Sequence, residues 1–272
     1  MLFYPMTFLQ AIILGTIQGI TEFVPISSSG HLIIFPKLMH WPLQSLAFDV
    51  VLHIGTLAAV LCYFRRDILM LFKSIIFYTC KEYVAWRKLA LFILLSTLPA
   101  GFAGLFFNGY IERYARFVPL VLFNLIVWGI VLIIADKYAK KTEIAHKQEP
   151  LTHKKVLVIG LMQVFSLLPG TSRSGTTITA GLFTKLSQKD SARFSFLASI
   201  PLIAGAGLLK TISLLREPLY DVSVPVLLVG SATAFVTGMC AIAILMKFLN
   251  KRGLTWCGVY RIVLALLLIF IL

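Results

Sequence analysis

The sequence predicts an all-α polytopic membrane protein built as an inverted-topology repeat, with about six transmembrane helices and two re-entrant helical hairpins. Three observations predict it: an apolar, weakly charged composition, six apolar runs of spanning length separated by basic connections, and two further apolar segments broken at matching positions. Of the 272 residues, 59% are apolar and 13% charged, where a soluble domain carries about 45–50% and about 25%. Mean hydropathy is +0.91. A soluble globular domain, a disordered chain and a collagen-like repeat are all excluded by these values. The four cysteines, Cys62, Cys80, Cys240 and Cys257, show no C-x-x-C spacing and imply neither a disulfide framework nor a zinc site.

The net charge of +14 raises nucleic acid as a partner, but the positions of the charges argue for a bilayer. Eighteen of the 25 Lys and Arg fall in four short connections, at 65–88, 137–155, 185–193 and 247–252. Such clustering between apolar runs is the positive-inside pattern and places those connections in the cytoplasm. No nucleic-acid partner is expected.

A spanning helix needs about 20 mostly apolar residues, and the elements follow in chain order. Residues 7–36 are apolar but interrupted by Pro25-Ile26-Ser27-Ser28-Ser29-Gly30-His31. Proline removes a helical hydrogen bond, and a serine run competes for backbone partners. A half-helix, a loop and a second half-helix are predicted, re-entering from outside. Spans at 47–64, 89–107 and 118–136 complete a first repeat over 1–136, with 108–117 outside and 137–155 as the basic cytoplasmic connection. The second repeat, 156–272, opens with a hairpin at 156–184 broken by Pro169-Gly-Thr-Ser-Arg-Ser-Gly-Thr-Thr177 and continues with spans at 194–213, 225–246 and 255–272, with 214–224 outside. No signal peptide or lipid-anchor motif is visible, so the first hairpin is expected to stay with the mature protein.

A shift of 145 residues maps Gly15 onto Gly160, Gln18 onto Gln163, Ser27 onto Ser172, Ser29 onto Ser174 and Gly30 onto Gly175. The chain reads as duplicated. The predicted topology enters the two copies from opposite faces, an architecture that places a polar site between the repeats near the midplane. Irregular backbone at that depth is tolerated only inside protein or against a watery cavity, so the two loops are expected to meet.

Ionisable residues inside a membrane are costly and face interior sites. Gln18 and Glu22, at i and i+4, project from one helix face. Such an oxygen pair suits a hard divalent cation, Mg²⁺ or Ca²⁺, or alternatively an interhelical bond and a salt bridge to Arg173. Ser27, Ser28 and Ser29 lie close to His31, the ingredients of an activated nucleophile with Glu22 as orienting acid; a serine run satisfying its own backbone is the structural alternative. The second loop offers backbone N–H groups, the hydroxyls of Ser172, Ser174 and Thr177, and the planar fork of Arg173, which matches phosphate oxygens. It is neither a Walker loop nor G-x-S-x-G. Arg261, about two turns inside the last span, is expected to meet a phosphate or a loop carboxylate. Asp49 and His53 read as interhelical contacts; Asp136, His146 and His153 as solvated; Lys210, Arg216, Glu217 and Asp221 as an exposed outer loop.

Gln-x-x-x-Glu at 18–22, Ser-Ser-Ser-Gly-His at 27–31 and Pro-Gly-Thr-Ser-Arg-Ser-Gly-Thr-Thr at 169–177 resemble the bacterial undecaprenyl-diphosphate phosphatase (bacitracin-resistance) family. The likeness covers essentially the whole chain, including the Tyr260-Arg261 pair. It implies a multi-pass plasma-membrane hydrolase that removes the terminal phosphate of undecaprenyl diphosphate, depends on a divalent cation and opens to the outer, periplasmic side. Its product is the monophosphate carrier used in peptidoglycan synthesis. By position, Gln18 and Glu22 match the acidic, metal-binding motif; Ser28 and His31 match the nucleophile and base. Ser172, Arg173, Ser174 and Thr177 match the phosphate loop, with Ser27 and Arg261 as further phosphate contacts. Where members often carry Glu first in the acidic motif this chain has Gln18, which leaves Glu22 as the charged member. The substrate partner implied is a polyprenyl diphosphate lipid in the bilayer, and a homodimer is compatible with the sequence.

Two rivals remain. Inverted repeats with broken helices also build secondary transporters, so a carrier or flippase of undecaprenyl phosphate or another anion is the alternative. The acid-phosphatase superfamily needs a histidine after the arginine, and the last histidine here is His153.

Overall fold

The computed structural model describes residues 6–114, 117–144, 148–214 and 223–271. Among these residues the regular structure is all helical, with eleven α-helices. The first broken segment folds as α1 (Phe8–Phe23) and α2 (Ser28–Leu38), with the chain irregular at 24–27. The second folds as α7 (His153–Val164), a single 3₁₀ turn at Phe165–Leu167, and α8 (Arg173–Phe183). The prolines and serines of the two breaks thus interrupt the helices where the sequence requires it.

Five helices carry apolar stretches long enough to cross a membrane, within α3 (Leu46–Tyr63), α5 (Val84–Tyr114), α6 (Val118–Ile144), α9 (Gln188–Leu214) and α10 (Val224–Arg252). The sixth expected span, 255–272, is α11 (Thr255–Ile271), apolar throughout but only 17 residues long. Exposed apolar side chains such as Phe106, Phe123, Ile244 and Phe270 cover the outer faces of these helices, as a bilayer solvent demands. The chain is a multi-pass membrane protein.

One helix lies where only a basic connection was expected. α4 (Arg65–Ile76) sets Arg65, Arg66, Asp67 and Lys73 against an apolar face that includes Leu69, Phe72 and Ile75. Its apolar run is too short to span, which is why a search for spans passes over it. Asp67 pairs with Arg193 at the start of α9.

Packing crosses between the two halves of the chain. α1 packs along α10, and α7 packs along α5. Both contacts depend on a glycine: a Cβ on Gly15 would sit 2.5 Å from the carbonyl oxygen of Gly230, and one on Gly160 would sit 2.8 Å from that of Ser96. The two glycines are the first pair in the 145-residue correspondence. α3 lies against α10, and α11 lies against α6. The largest core cluster gathers Phe23, Phe64, Phe92 and Phe196, with Phe23 edge-on to Phe196 at 5.5 Å. It seals the end of α1 immediately after Glu22.

Asp136 departs from its expected solvated position. It is fully buried near the C-terminal end of α6 and accepts hydrogen bonds from Gln188 Nε2 (2.5 Å), Thr255 N (3.0 Å) and Thr255 Oγ1 (2.6 Å), with Lys140 Nζ at 3.1 Å. Charge run and residue type had suggested a wet loop, but the aspartate caps α11 and ties it to α6 and α9. His153 is exposed, edge-on to the ring of Phe92. His146, Arg216, Glu217 and Asp221 fall outside the described residues, as does the side chain of Lys210.

Candidate active site

The two breaks adopt one backbone design. Ser27 has φ 78° and ψ 93°, and Ser172 has φ 73° and ψ 115°. A non-glycine residue with positive φ is strained by about 1–2 kcal/mol and needs surrounding contacts to hold it. Each serine caps the helix that follows: Ser27 Oγ accepts from Gly30 N at 3.3 Å, and Ser172 Oγ accepts from Gly175 N at 3.1 Å. Each also meets the hydroxyl two residues on, Ser29 at 3.4 Å and Ser174 at 3.2 Å. Positions equivalent under the 145-residue shift thus carry equivalent bonds.

The residues after these caps, Ser28 and Arg173, are also equivalent under the shift, and both converge on Glu22. Ser28 Oγ donates to Glu22 Oε2 at 2.7 Å, and Arg173 Nη2 donates to Glu22 Oε1 at 2.6 Å. Glu22 is 7% exposed and Arg173 10%. At that burial an unpaired charge would be costly, and the ion pair binds the two halves of the chain at one point. Arg173 is further held by Nη1 donating to the carbonyl of Ser195. Thr177 Oγ1 lies 2.7 Å from Ser195 Oγ and 2.8 Å from the Arg173 carbonyl.

His31 and Arg261 meet partners that sequence alone did not specify. His31 Nδ1 lies 2.7 Å from the Ser27 carbonyl oxygen, and Nε2 lies 2.8 Å from the hydroxyl of Tyr260. The imidazole is therefore not bonded to Ser28, whose hydroxyl is taken by Glu22. Arg261 is fully buried, and its Nη2 donates to the carbonyls of Gly170 (2.8 Å), Thr171 (2.9 Å) and Asn124 (3.3 Å). Its partners among the described residues are backbone carbonyls, where a phosphate or carboxylate was expected; Nε and Nη1 have no hydrogen-bond partner there. A guanidinium without an opposing carboxylate, beside the cap of α8, leaves local positive charge available to an anion.

His53 makes the contact between helices that its place in the sequence predicts: its Nδ1 lies 2.7 Å from the carbonyl of Asp49 within α3, and its Nε2 lies 3.8 Å from Glu22 Oε2 on α1. Asp49 accepts from Gln44. The i, i+4 spacing of Asp49 and His53 does not name the partner, and only the fold shows that it is Glu22.

The oxygen pair Gln18 and Glu22 has one feature that fits a cation. Gln18 is buried, its Nε2 donates to Glu22 Oε2 at 3.3 Å, and its Oε1 has no hydrogen-bond partner. A buried amide oxygen left unpaired is destabilising unless something binds it. Among the described residues no group of three or more His, Cys, Asp and Glu assembles around a common centre. An amide and one carboxylate suit Mg²⁺ or Ca²⁺, which accept oxygen ligands and fill other positions with water or phosphate.

Comparison with known proteins bears on the whole chain. Residues 11–267 match the family described as bacitracin resistance protein BacA. An undecaprenyl-diphosphatase of Idiomarina loihiensis is 40% identical over 269 residues, covering 97% of this chain and 98% of that protein. Proteins of the same name from Alteromonas mediterranea and Thermomicrobium roseum are 41% and 42% identical, over 97% and 96% of this chain.

Proposed function

This chain belongs to the bacitracin resistance protein BacA family, and we propose from that premise that it is an integral-membrane undecaprenyl-diphosphatase. It hydrolyses undecaprenyl diphosphate to undecaprenyl phosphate and inorganic phosphate, and so sustains bacitracin resistance and the lipid carrier supply. Full-length relatives near 40% identity carry that name. The observation that carries the chemistry is the convergence of Ser28 and Arg173 on buried Glu22.

In the proposed mechanism Ser28 Oγ attacks the terminal phosphorus while its proton passes to Glu22 Oε2, to which it already donates. A Ser28 O–P bond forms and the anhydride P–O bond breaks, releasing undecaprenyl phosphate. Water then cleaves the Ser28 O–P bond. Phosphoryl transfer asks for positioning and for positive charge over the equatorial oxygens. The fork of Arg173, the cap and first turn of α8 with Ser172, Ser174 and Thr177, the hydroxyl of Ser27 and the charge of Arg261 are assigned to that task. His31 is assigned to proton transfer. Gln18 and Glu22 would hold a divalent cation, which when bound neutralises phosphate charge as a Lewis acid.

The duplicated caps at Ser27 and Ser172, and the crossed packing of α1 on α10 and α7 on α5, support two repeats of inverted topology with re-entrant hairpins. With the basic connections inside, the site opens to the periplasmic face, and the polyprenyl tail stays in the bilayer. A homodimer remains compatible with the exposed apolar faces.

The test is phosphate release from undecaprenyl diphosphate by purified protein in detergent, with and without chelator. Release that needs a divalent cation and is lost in Ser28→Ala supports the reading. A folded wild-type protein that releases nothing, yet binds or moves undecaprenyl phosphate, transfers the assignment to a carrier.

A further inference from the structure

Tyr260, the neighbour of Arg261 on α11, reaches the first loop. Its ring stacks on that of His31, with centroids 5.7 Å apart and an interplanar angle of 6°. Its hydroxyl is 2.8 Å from His31 Nε2. The opposite nitrogen, Nδ1, faces the Ser27 carbonyl at 2.7 Å. A carbonyl oxygen only accepts, so Nδ1 carries the hydrogen and Nε2 presents its lone pair to the Tyr260 O–H. The imidazole is fixed at both ends, and its one basic nitrogen is aimed at Tyr260 while the Ser28 proton already has an acceptor in Glu22.

The neighbouring residue explains why the tyrosine stands there. Arg261 follows on α11 and holds the carbonyls of Gly170 and Thr171 in the second loop. Adjacent residues of one helix thus engage the two loops, and α11 itself is anchored at its start by buried Asp136 through Thr255. Arg261 is fully buried, whereas Tyr260 is 40% exposed.

We infer that Tyr260 is a positioning residue for the phosphatase reaction: its hydroxyl holds His31 Nε2 as the acceptor through which the histidine exchanges a proton with the reacting headgroup. This rests on the phosphatase reading given above. The stacked ring sets the plane of the imidazole, and the hydroxyl sets its hydrogen bond. Removing the hydroxyl alone misplaces the proton exchange and leaves headgroup binding, carried by Arg173 and the second loop, in place.

Three variants separate these parts. Tyr260→Phe keeps the stacked ring and is expected to lower kcat about tenfold, less than the roughly 10²–10⁴-fold that the acid–base group itself contributes, with KM for undecaprenyl diphosphate changed less than twofold. Tyr260→Ala is expected to fall at least as far. In a His31→Ala background, Tyr260→Phe should cause no further loss, because the group it positions is gone. In parallel, ¹⁵N-histidine NMR of the detergent-solubilised protein should show one histidine with a protonated Nδ1 and a hydrogen-bonded Nε2, and Tyr260→Phe should shift that Nε2 signal. Wild-type kcat in Tyr260→Phe, an equal further loss in the His31→Ala background, or an unmoved Nε2 signal would each overturn the inference. If the wild-type protein is inactive, the phosphatase reading itself fails, while the NMR result still judges the His31–Tyr260 bond.

Discussion

The two loops share a backbone and divide the chemistry. Ser27 and Ser172 hold nearly the same strained φ, cap the next helix through the same atom and meet a serine two residues on. The residues on this common frame are opposite in kind. The first loop and its preceding helix supply Glu22, Ser28 and His31, suited to attack and proton transfer, beside the amide of Gln18; the second supplies Arg173 among small hydroxyls, suited to holding an anion. The position after the cap is a hydroxyl in one loop and a guanidinium in the other, and both reach the same carboxylate. One backbone geometry thus carries two different sets of side chains.

The largest effects should come from breaking that convergence. Ser28→Ala and Arg173→Ala should each reduce phosphate release by about 10²–10⁴-fold. Arg173→Ala should also destabilise the fold by about 3–5 kcal/mol, since Glu22 would remain buried without its partner; thermal unfolding in detergent reads the two effects separately. Arg173→Lys keeps the charge but loses the second N–H to the Ser195 carbonyl, and should recover stability better than turnover.

The shared frame can be tested on its own. Ser27→Ala and Ser172→Ala each remove a cap and should cost about 1 kcal/mol, and the two losses should match; unequal losses would show that the loops are alike in outline only. Gly15→Ala and Gly160→Ala press a methyl onto a carbonyl of the facing helix and should cost about 1–3 kcal/mol each. His53→Ala should lower turnover less than Ser28→Ala, because His53 stands 3.8 Å from Glu22 without touching the hydroxyl of Ser28.

The smallest effect lies in the basic connection between α6 and α7. Lys185 donates a hydrogen bond to Glu149 at 2.9 Å and Lys155 pairs with it at 3.2 Å, which holds its carboxyl below the usual carboxylate range, while Glu149 raises the Lys185 ammonium. A lowered carboxyl adds stability that is present above its ordinary value and lost as pH falls through the lowered one. The melting temperature should therefore dip slightly on acidification, and less so in Glu149→Gln. Glu149 and Lys185 are exposed, so screening by salt should shrink the difference.

Much of this arrangement was legible in the sequence because membranes restrict the choices. Apolar runs fixed the long helices, and the Pro and Ser clusters located both breaks, since few sequences interrupt a helix at that depth. The Glu22–Arg173 pair was open only as the alternative to a cation at Glu22 and a phosphate at Arg173. What stayed hidden depended on contacts across the fold. Asp136 sits in a basic run and looked solvated, and nothing local reveals that Thr255, 119 residues on, comes to lie on it. The placement of His31 against Tyr260 rather than Ser28 spans 229 residues. α4 escaped because its apolar face is that of a short amphipathic helix, a weaker signal than a span.

The central claim is that the two loops form a single catalytic unit, and a double-mutant cycle tests it most directly. Steady-state phosphate release from undecaprenyl diphosphate would be compared for the wild-type protein, Ser28→Ala, Arg173→Ala and the double variant, each confirmed as folded. If the loops act together, the double variant should lose little more than the worse single one, as groups acting as a unit do. Losses that multiply would mean that Ser28 and Arg173 act independently, and would contradict the account.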